Sequence, residues 1–335
     1  MANTPILNTQ VPAGHVGVRE DLSDIITLID PDETPLLTAL RGSVAKNTLF
    51  EWQTQKLRDA NVTNRHLQGA DTTEFNPHRP TRRLNNQTQI SIETGIVSGT
   101  MEAVEVAGID SELGRQKMIK GKELKIDKEA ILFNHQVAAA ESGTTPSSTA
   151  TLAAWISNIE AVAADQSAFI DASDELVQVN GSVLPDTGGA DRALTLALID
   201  SAMLKARKKG GKPRHMYVSP VNKANFSNLA ITDNTLIEHR ITSGNSKPVT
   251  ATGVVDFYKS DHGEVAVVED VHQPDDAIYG LEHDHWRMKH TKGRQYLSIP
   301  LAKTGDAEKF QLLSEWGVEC RAPSANWAIY DLNGS

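Results

Sequence analysis

The sequence predicts an α+β chain, and three observations carry that prediction. From Lys46 to about Gly95 apolar and polar residues tend to alternate at period two. Gly108 to Gln136 is dominated by helix formers and holds no proline, and from Val254 onward one strand-like run follows another. At 335 residues the chain is long enough for one large or two ordinary domains with a substantial core. With 39% hydrophobic and 23% charged residues, its composition is that of a folded globular protein. A net charge of -10 argues against broad electrostatic capture of nucleic acid, although local basic patches remain compatible with it. No apolar run approaches the ~20 residues of a membrane helix. The first residues show neither the basic start nor the apolar block of a secretory signal, so nothing asks for export. The single cysteine, Cys320, cannot form an internal disulfide, which suits a reducing compartment.

The chain opens on an arm punctuated by Pro and Gly. Leu22, Ile25, Ile26 and Ile29 then recur at helical spacing, Pro31 ends that helix, and Pro35 opens a second turn. An arm with so few apolar residues has no core of its own and is read either as a loose terminus or as a segment lying on another subunit. In "NTLFEWQTQ", Phe50 and Trp52 share one strand face; in "RRLNNQTQISIE", Leu84, Ile90 and Ile92 alternate less regularly. With the polar, Gly- and Pro-broken stretch between them, the two runs read as one long hairpin that needs an outside surface to lie on. Gly108 to Gln136 predicts a helix of roughly 40 Å with a thin apolar stripe. Leu113, Leu124 and Ile131 stand in line, Ile119, Ile126 and Phe133 to one side, and lysines alternate with acids over the rest.

"ESGTTPSSTA" reads as a linker. Beyond it come helical patterns over Leu152 to Phe169 and over "DRALTLALIDSAMLKARKKGG", the second capped by Asp191 and ended by Gly210 and Gly211. "HMYVS" follows as a buried strand and "PVNKANFSNLA" as a helix started by its proline. The strands "VVDFYKS", "EVAVVED", "DAIYGLEHDHWRMKH", "QYLSIPL" and "EKFQLLSEWGVECR" complete the chain.

Catalytic chemistry finds little support. "KKGGKPRH" fails as a phosphate loop, because Pro213 stands where Ser or Thr must follow the lysine and Ala206 where the first glycine belongs. It reads instead as a basic helix end favoured by the helix dipole. Cys320 has no histidine near it in sequence and reads as a buried structural thiol. If "LEHDHWRMKH" is a strand, His283 and His285 share one face with Leu281, Arg287 and Lys289. A metal site needs a third ligand, and the cations on that face oppose one, so the pair is read as structural ahead of metal-binding. No cofactor is expected.

The element order is extended arm, long hairpin, long helix, central α/β section and strand-rich end. Together with "EDLSDIITLIDPDETPLLTAL", "KNTLFEWQTQKL", "LNNQTQI", "VSGTMEAV", "AGIDSELGRQKMIKGKELKIDKE" and "LAKTGDAEKFQLLSEWGVE", it resembles the major capsid proteins of tailed bacteriophages, which have the Hong Kong 97-like fold. The resemblance spans about residues 20 to 326 and rests on the combination and order of these segments. It implies an N-terminal arm over residues 1–40 and an extended loop over 41–100. A peripheral domain with a spine helix covers 101–149, an axial domain 150–280, and return strands of the peripheral domain 281–335. It implies no enzyme but a shell subunit of the virion, assembled in the host cytoplasm from pentamers and hexamers around double-stranded DNA touched non-specifically. The partners implied are further copies of the chain, a portal protein, a separate scaffolding protein and decoration proteins, with no membrane. Expected interface residues are Trp52, Arg82, Arg83, Lys120 and Lys125, with Asp30, Asp32 and Glu33 as acids for the arginines or spine lysines to meet. Some relatives crosslink a lysine to an asparagine; Lys46, Lys56 and Asn326 are the residue types here, but nothing around them selects them. The competing readings are an encapsulin-like cellular compartment, which shares the fold, and, more distantly, a metal-dependent enzyme using His283 and His285.

Overall fold

The computed structural model describes residues 31, 33–58, 60–69, 71–72, 75, 78, 80–104, 106, 108–161, 181, 184–185, 189–232 and 256–333. The expected helix over Leu22 to Ile29 lies outside them. Pro35 does open a helix, α1 (Pro35–Ala39), whose first turn costs nothing for the missing proline N–H. After the short β1 (Arg41–Ala45) the chain forms an antiparallel pair, β2 (Leu49–Thr54) and β3 (Arg82–Gln87), in the register Phe50 to Asn86 and Trp52 to Leu84. The hairpin is therefore shorter than the sequence suggests, with six residues a side. Ile90 and Ile92 belong to a separate strand, β4 (Gln89–Ser98), and the described residues between β2 and β3 hold no strand.

The base of the hairpin finds its surface inside the chain. Phe50, Trp52 and Leu84 are buried against Trp155 and a long C-terminal strand, β12 (Ala307–Cys320). Gly317 of β12 lies so close under the Phe50 ring that a β-carbon there would come within 2.7 Å of it. Asn86 fastens the pair to both neighbours: its Nδ2 donates to the carbonyls of Ala150 (3.1 Å) and Val318 (2.7 Å), and its Oδ1 accepts from Ala150 N.

A short helix, α2 (Gly99–Ala103), leads to the long helix α3 (Glu112–Phe133), 22 residues and hence ~33 Å, shorter than expected at both ends. Ser111 caps it, accepting from Gly114 N at 3.1 Å. Its buried residues include Lys128 and Glu129 beside Leu124, Leu132 and Phe133, a polar burial the thin apolar stripe does not announce.

The presumed linker is ordered structure: Ala139 bridges Ser148, Ser142 bridges Thr145, and Thr149, Ala150 and Thr151 are fully buried. Of the helix expected over Leu152 to Phe169, residues 162–169 lie outside the described residues; the rest stops after four residues as α4 (Leu152–Trp155), because Asn158–Glu160 pairs as a strand, β5, with β13 (Trp327–Ile329). The next helix, α5 (Leu196–Lys208), is capped by Thr195 rather than Asp191. The preceding Arg192 is held as a bridge to Leu332 instead.

β6 (His215–Val218) and α6 (Pro220–Thr232) follow as the sequence indicates, then β7 (Phe257–Ser260) and β8 (Gly263–Glu269). The run "DAIYGLEHDHWRMKH" is not one strand. It divides into β9 (Ile278–Leu281) and β10 (Trp286–Thr291), joined by a 3₁₀ turn over His283–His285. The break hands the chain from one sheet to another. β5-β13-β9-β6-β8-β7 form a six-stranded sheet, whereas β10 joins β1, β12, β4 and β11 (Leu297–Leu301) in a five-stranded one. Trp327 crosses Gly280, where any side chain would collide with the indole.

Candidate assembly surfaces

The five-stranded sheet has two unlike faces. In its antiparallel register, alternate residues of β12 share a side with their partners on β4 and β11. One side carries Phe310, Leu312, Ser314 and Trp316 with Gly95, Glu93 and Ser91, and α3 lies over it: Lys120 Nζ is 3.3 Å from Glu93, Lys117 sits over the Phe310 ring, and Lys128 donates to Ser314 Oγ at 2.6 Å. Phe310 occupies the space a side chain at Gly95 would need.

The other side carries Ile90, Ile92 and Ile96 of β4, Leu313 of β12, and Leu297, Ile299 and Leu301 of β11. The base of the hairpin covers this side only near Gly317. Ile90, Ile92, Ile96 and Leu301 remain exposed, Ile96 by 63%. The helix thus covers the side of β4 that carries Ser91, Glu93 and Gly95 and leaves the isoleucines facing out, an aliphatic-rich face interrupted by Thr94, Lys309 and Gln311 that is suited to contact. A second exposed apolar set stands on the stretch between β2 and β3: Leu57, Val62, Leu67 and Phe75, with Val62 96% exposed.

Of the five expected interface residues, Trp52 turns inward, its ring 5.2 Å from Trp155 and 5.9 Å from Phe50. Lys120 is held by Glu93 and Glu123 of its own chain. Arg83 lies 3.4 Å from Glu51 across the hairpin and stays largely exposed, as do Arg82 and Lys125. Glu33 is exposed, while Asp30 and Asp32 fall outside the described residues. The aliphatic face went unread because alternation at Ile90 and Ile92 fixes a period without saying which side a helix will cover.

α3 itself carries two buried ionisable groups, Lys128 and Glu129. Both Glu129 carboxylate oxygens accept from the start of α1, Leu36 N at 2.7 Å and Leu37 N at 2.8 Å. Burial and the adjacent Asp270 carboxyl raise the Glu129 pKa well above the carboxylate range. Asp270 follows β8, so this contact ties α1, the long helix and the six-stranded sheet together; its Oδ2 is buried without a donor among the described residues. Lys128, which forms no ion pair with a described residue, is lowered to about 7 by burial and by Lys125.

The histidine pair does not converge. The His283 ring stacks on His215 at 4.0 Å, and its Nε2 lies 3.0 Å from the Tyr217 hydroxyl; burial and His215 lower its pKa to about 4, so it is neutral at physiological pH. His285 sits instead 3.7 Å from Glu282. Among the described residues no group of three His, Cys, Asp or Glu side chains is placed to hold a metal ion. Cys320 is fully buried, and burial pushes its thiol pKa up, away from reactivity. Asn326 is fully buried and engaged: its Oδ1 accepts from Glu282 N and Trp286 Nε1 at 2.9 and 3.0 Å, and its Nδ2 donates to Ala322 O. That leaves the amide nothing to offer a second chain. No described helix is long and apolar enough to cross a membrane.

Comparison with known proteins agrees with this picture of an assembling subunit. The major capsid protein of Escherichia phage Phieco32 is 24% identical over 343 residues, covering 95% of each chain. Among solved structures, the capsid asymmetric unit of cyanophage A-1(L) superposes with a TM-score of 0.62 at 15% identity, covering 94% of this chain and 97% of that one. The SrpI encapsulin of Synechococcus elongatus shares the fold at a TM-score of 0.58 and 8% identity, with 98% of each chain covered. The family model of the SU10 major capsid protein matches residues 3–333. This chain belongs to the SU10 major capsid protein family and is a Hong Kong 97-like capsid subunit of a tailed phage.

Proposed function

We propose that the subunit closes, through pentamers and hexamers, into an icosahedral head around a double-stranded DNA genome. The observation that carries this reading is the set of aliphatic side chains on the outward side of the five-stranded sheet, Ile90, Ile92 and Ile96 of β4 and Leu301 of β11, which a lone subunit leaves in water. In a shell that area is removed from solvent at ~25 cal/mol per Å², and many such contacts add up without any one being strong. The stretch between β2 and β3, with Leu57, Val62, Leu67 and Phe75 exposed, is the extended loop that lies on a neighbouring copy. The five-stranded sheet with α3 is the peripheral domain and the six-stranded sheet with α5 and α6 the axial one. Arg82, Arg83 and Lys125 are suited to meet acids such as Glu33 of a neighbour, each exposed pair contributing ~0 to 1 kcal/mol.

A portal protein, a separate scaffolding protein and decoration proteins complete the head, and assembly takes place in the host cytoplasm. No reaction is required of the subunit. The likeness to an encapsulin is one of fold, and it supports a second reading in which the shell encloses a protein cargo. Negative-stain microscopy and sedimentation of the chain, expressed alone and with its neighbouring scaffolding gene, test the first reading. Closed shells or ring-shaped capsomers are expected; a persistent monomer in both cases would overturn it. Nucleic acid rather than one abundant protein inside shells from infected cells separates the two.

A further inference from the structure

Six of the ten residues from Lys205 to Arg214 are cationic, in a chain of net charge -10. Lys205 is spent on Glu160 at 2.9 Å. Arg207, Lys208, Lys212 and Arg214 are exposed and make no ion pair with a described residue. Three of them line a concavity of about 650 Å³, with Phe257 exposed at its rim and Glu264 the one acid among the described residues of its wall. Two further acids, Asp261 and Glu282, lie nearby in the chain's course, so the local balance stays positive.

The backbone under these cations is fixed. Gly211 packs so tightly on Ala325 that a β-carbon would come within 2.4 Å of its carbonyl oxygen, and its N–H closes on Ala206 O at 3.0 Å. Lys212 N donates to Glu282 Oε2, and Ala266 N to Arg214 O.

The opposite end of the same sheet has the opposite charge. β6 and β8 run parallel, His215 beside Ala266 and Val218 beside Glu269, so the cations sit where both strands start. Roughly 13 Å from Arg214, at ~3.3 Å per residue over β6, the strands end at Val218 and Glu269, and the loop into β9 adds Asp275 and Asp276. All three acids are exposed and none forms an ion pair with a described residue. This loop is pinned as well, through Asn222 Nδ2 to Asp275 O at 2.7 Å and Leu332 N to Asp276 O at 3.1 Å, and Val271 stands exposed within it.

We propose that these two ends bind each other head to tail in successive copies of the chain, the acids of one subunit seating in the cationic concavity of the next. The proposal rests on the capsid reading and names contacts that close its rings. Copies that each carry -10 repel one another unless unlike patches meet locally. Two different surfaces on one chain form a heterologous contact, which repeats around an axis until it closes. Fixed backbone on both sides keeps the ordering cost low. A concavity also suits a protruding loop better than the convex surface of a duplex.

Three full-length variants test this: Arg207→Glu/Lys212→Glu/Arg214→Glu, Glu269→Lys/Asp275→Lys/Asp276→Lys, and the combination of both. Circular dichroism and thermal melting establish that each chain folds, and sedimentation at 0.15 M and 0.5 M salt measures capsomers and shells. Each single-patch reversal is expected to lower assembly about tenfold or more at the lower salt, and the combination to recover it to within roughly threefold of wild type. Folded single-patch variants that assemble like wild type overturn the proposal, as does a folded combination that fails to recover. Unchanged assembly with loss of shell-bound nucleic acid on reversal of the cations overturns it in favour of a nucleic-acid contact. A wild-type chain that never assembles, even with its scaffolding partner, removes the capsid reading and this proposal with it.

Discussion

The two sheets of this subunit solve the burial problem in opposite ways. In the six-stranded sheet Met216, Val218, Val265, Val267, Ile278 and Ile329 are all buried within one chain. In the five-stranded sheet α3 brings lysines to a side of β4 that carries Ser91, Glu93 and Gly95, and the isoleucines of the same strand face outward. The first arrangement is a complete core. The second leaves its driving force outside the chain, so folding of the subunit and assembly of the shell draw on different residues. A change on the inner strands should break the fold, and a change on the outward face should break only the particle.

A pair of charge insertions separates the two sheets most strongly. Val218→Asp places an unpaired carboxylate at a fully buried position and should cost about 4 kcal/mol or more, seen as loss of soluble folded chain. Ile92→Asp with Ile96→Asp places two on the exposed face, and the chain should keep its circular dichroism and melting behaviour while shells fail to form in sedimentation. If the second variant unfolds like the first, the outward face is part of the subunit's own core and the comparison is wrong. Phe310→Ala tests the covered side of the same sheet. There one buried ring fills the space above Gly95 beneath Lys117, and its loss should cost about 3 kcal/mol in thermal melting.

Much of this arrangement was legible in the residues. Pro35, Pro220 and the proline-free run of α3 set helices where the sequence indicates, and β6, β7, β8, β11 and β12 follow their apolar runs. What failed did so for tertiary reasons. The helical pattern after Leu152 yields at Asn158 because β13, nearly 170 residues later, offers a parallel partner. "LEHDHWRMKH" breaks at His283 because the chain must pass between two sheets, and a side-chain period cannot reveal a change of partner. The surfaces were least legible. Trp52 carries the composition of an interface residue but lies against Trp155, and the cations of α3 look solvated although Lys128 and Glu129 are buried.

Glu129 gives a milder test at the junction between the two sheets. Its pKa is raised in the folded subunit, so between the ordinary carboxylate range and the raised value the native state holds a proton the unfolded chain has lost. Its contribution is therefore full at low pH and fades as pH rises through the raised value. Thermal melting of capsomers should fall from pH 6 to pH 9. Glu129→Gln keeps an acceptor for α1, can donate to the unpaired Asp270 Oδ2, and should remove most of that fall, on the order of 2 kcal/mol at pH 9. A fall of the same size in the variant assigns the pH dependence elsewhere.

Lys128 should respond in the opposite sense. Burial holds its ammonium at about 7, so above that pH the unfolded chain binds a proton that the native state does not, and stability rises from pH 7 towards the ordinary lysine range. Below pH 7 the folded subunit carries a buried charge with no carboxylate partner among the described residues, offset in part by Ser314 Oγ at 2.6 Å and the Tyr296 ring at 4.0 Å. Lys128→Met removes the charge at similar volume and also those two contacts, so the net gain at pH 6 should be only about 1 kcal/mol, and it should turn into a loss as pH rises from 7 towards 10, over which the wild-type chain gains ~1.4 kcal/mol per pH unit. Melting curves in the Glu129→Gln background read this rise without the falling contribution of its neighbour. A loss of stability at pH 6 would show that the buried ammonium, like the polar side of β4 around it, is held by contacts worth more than its desolvation costs.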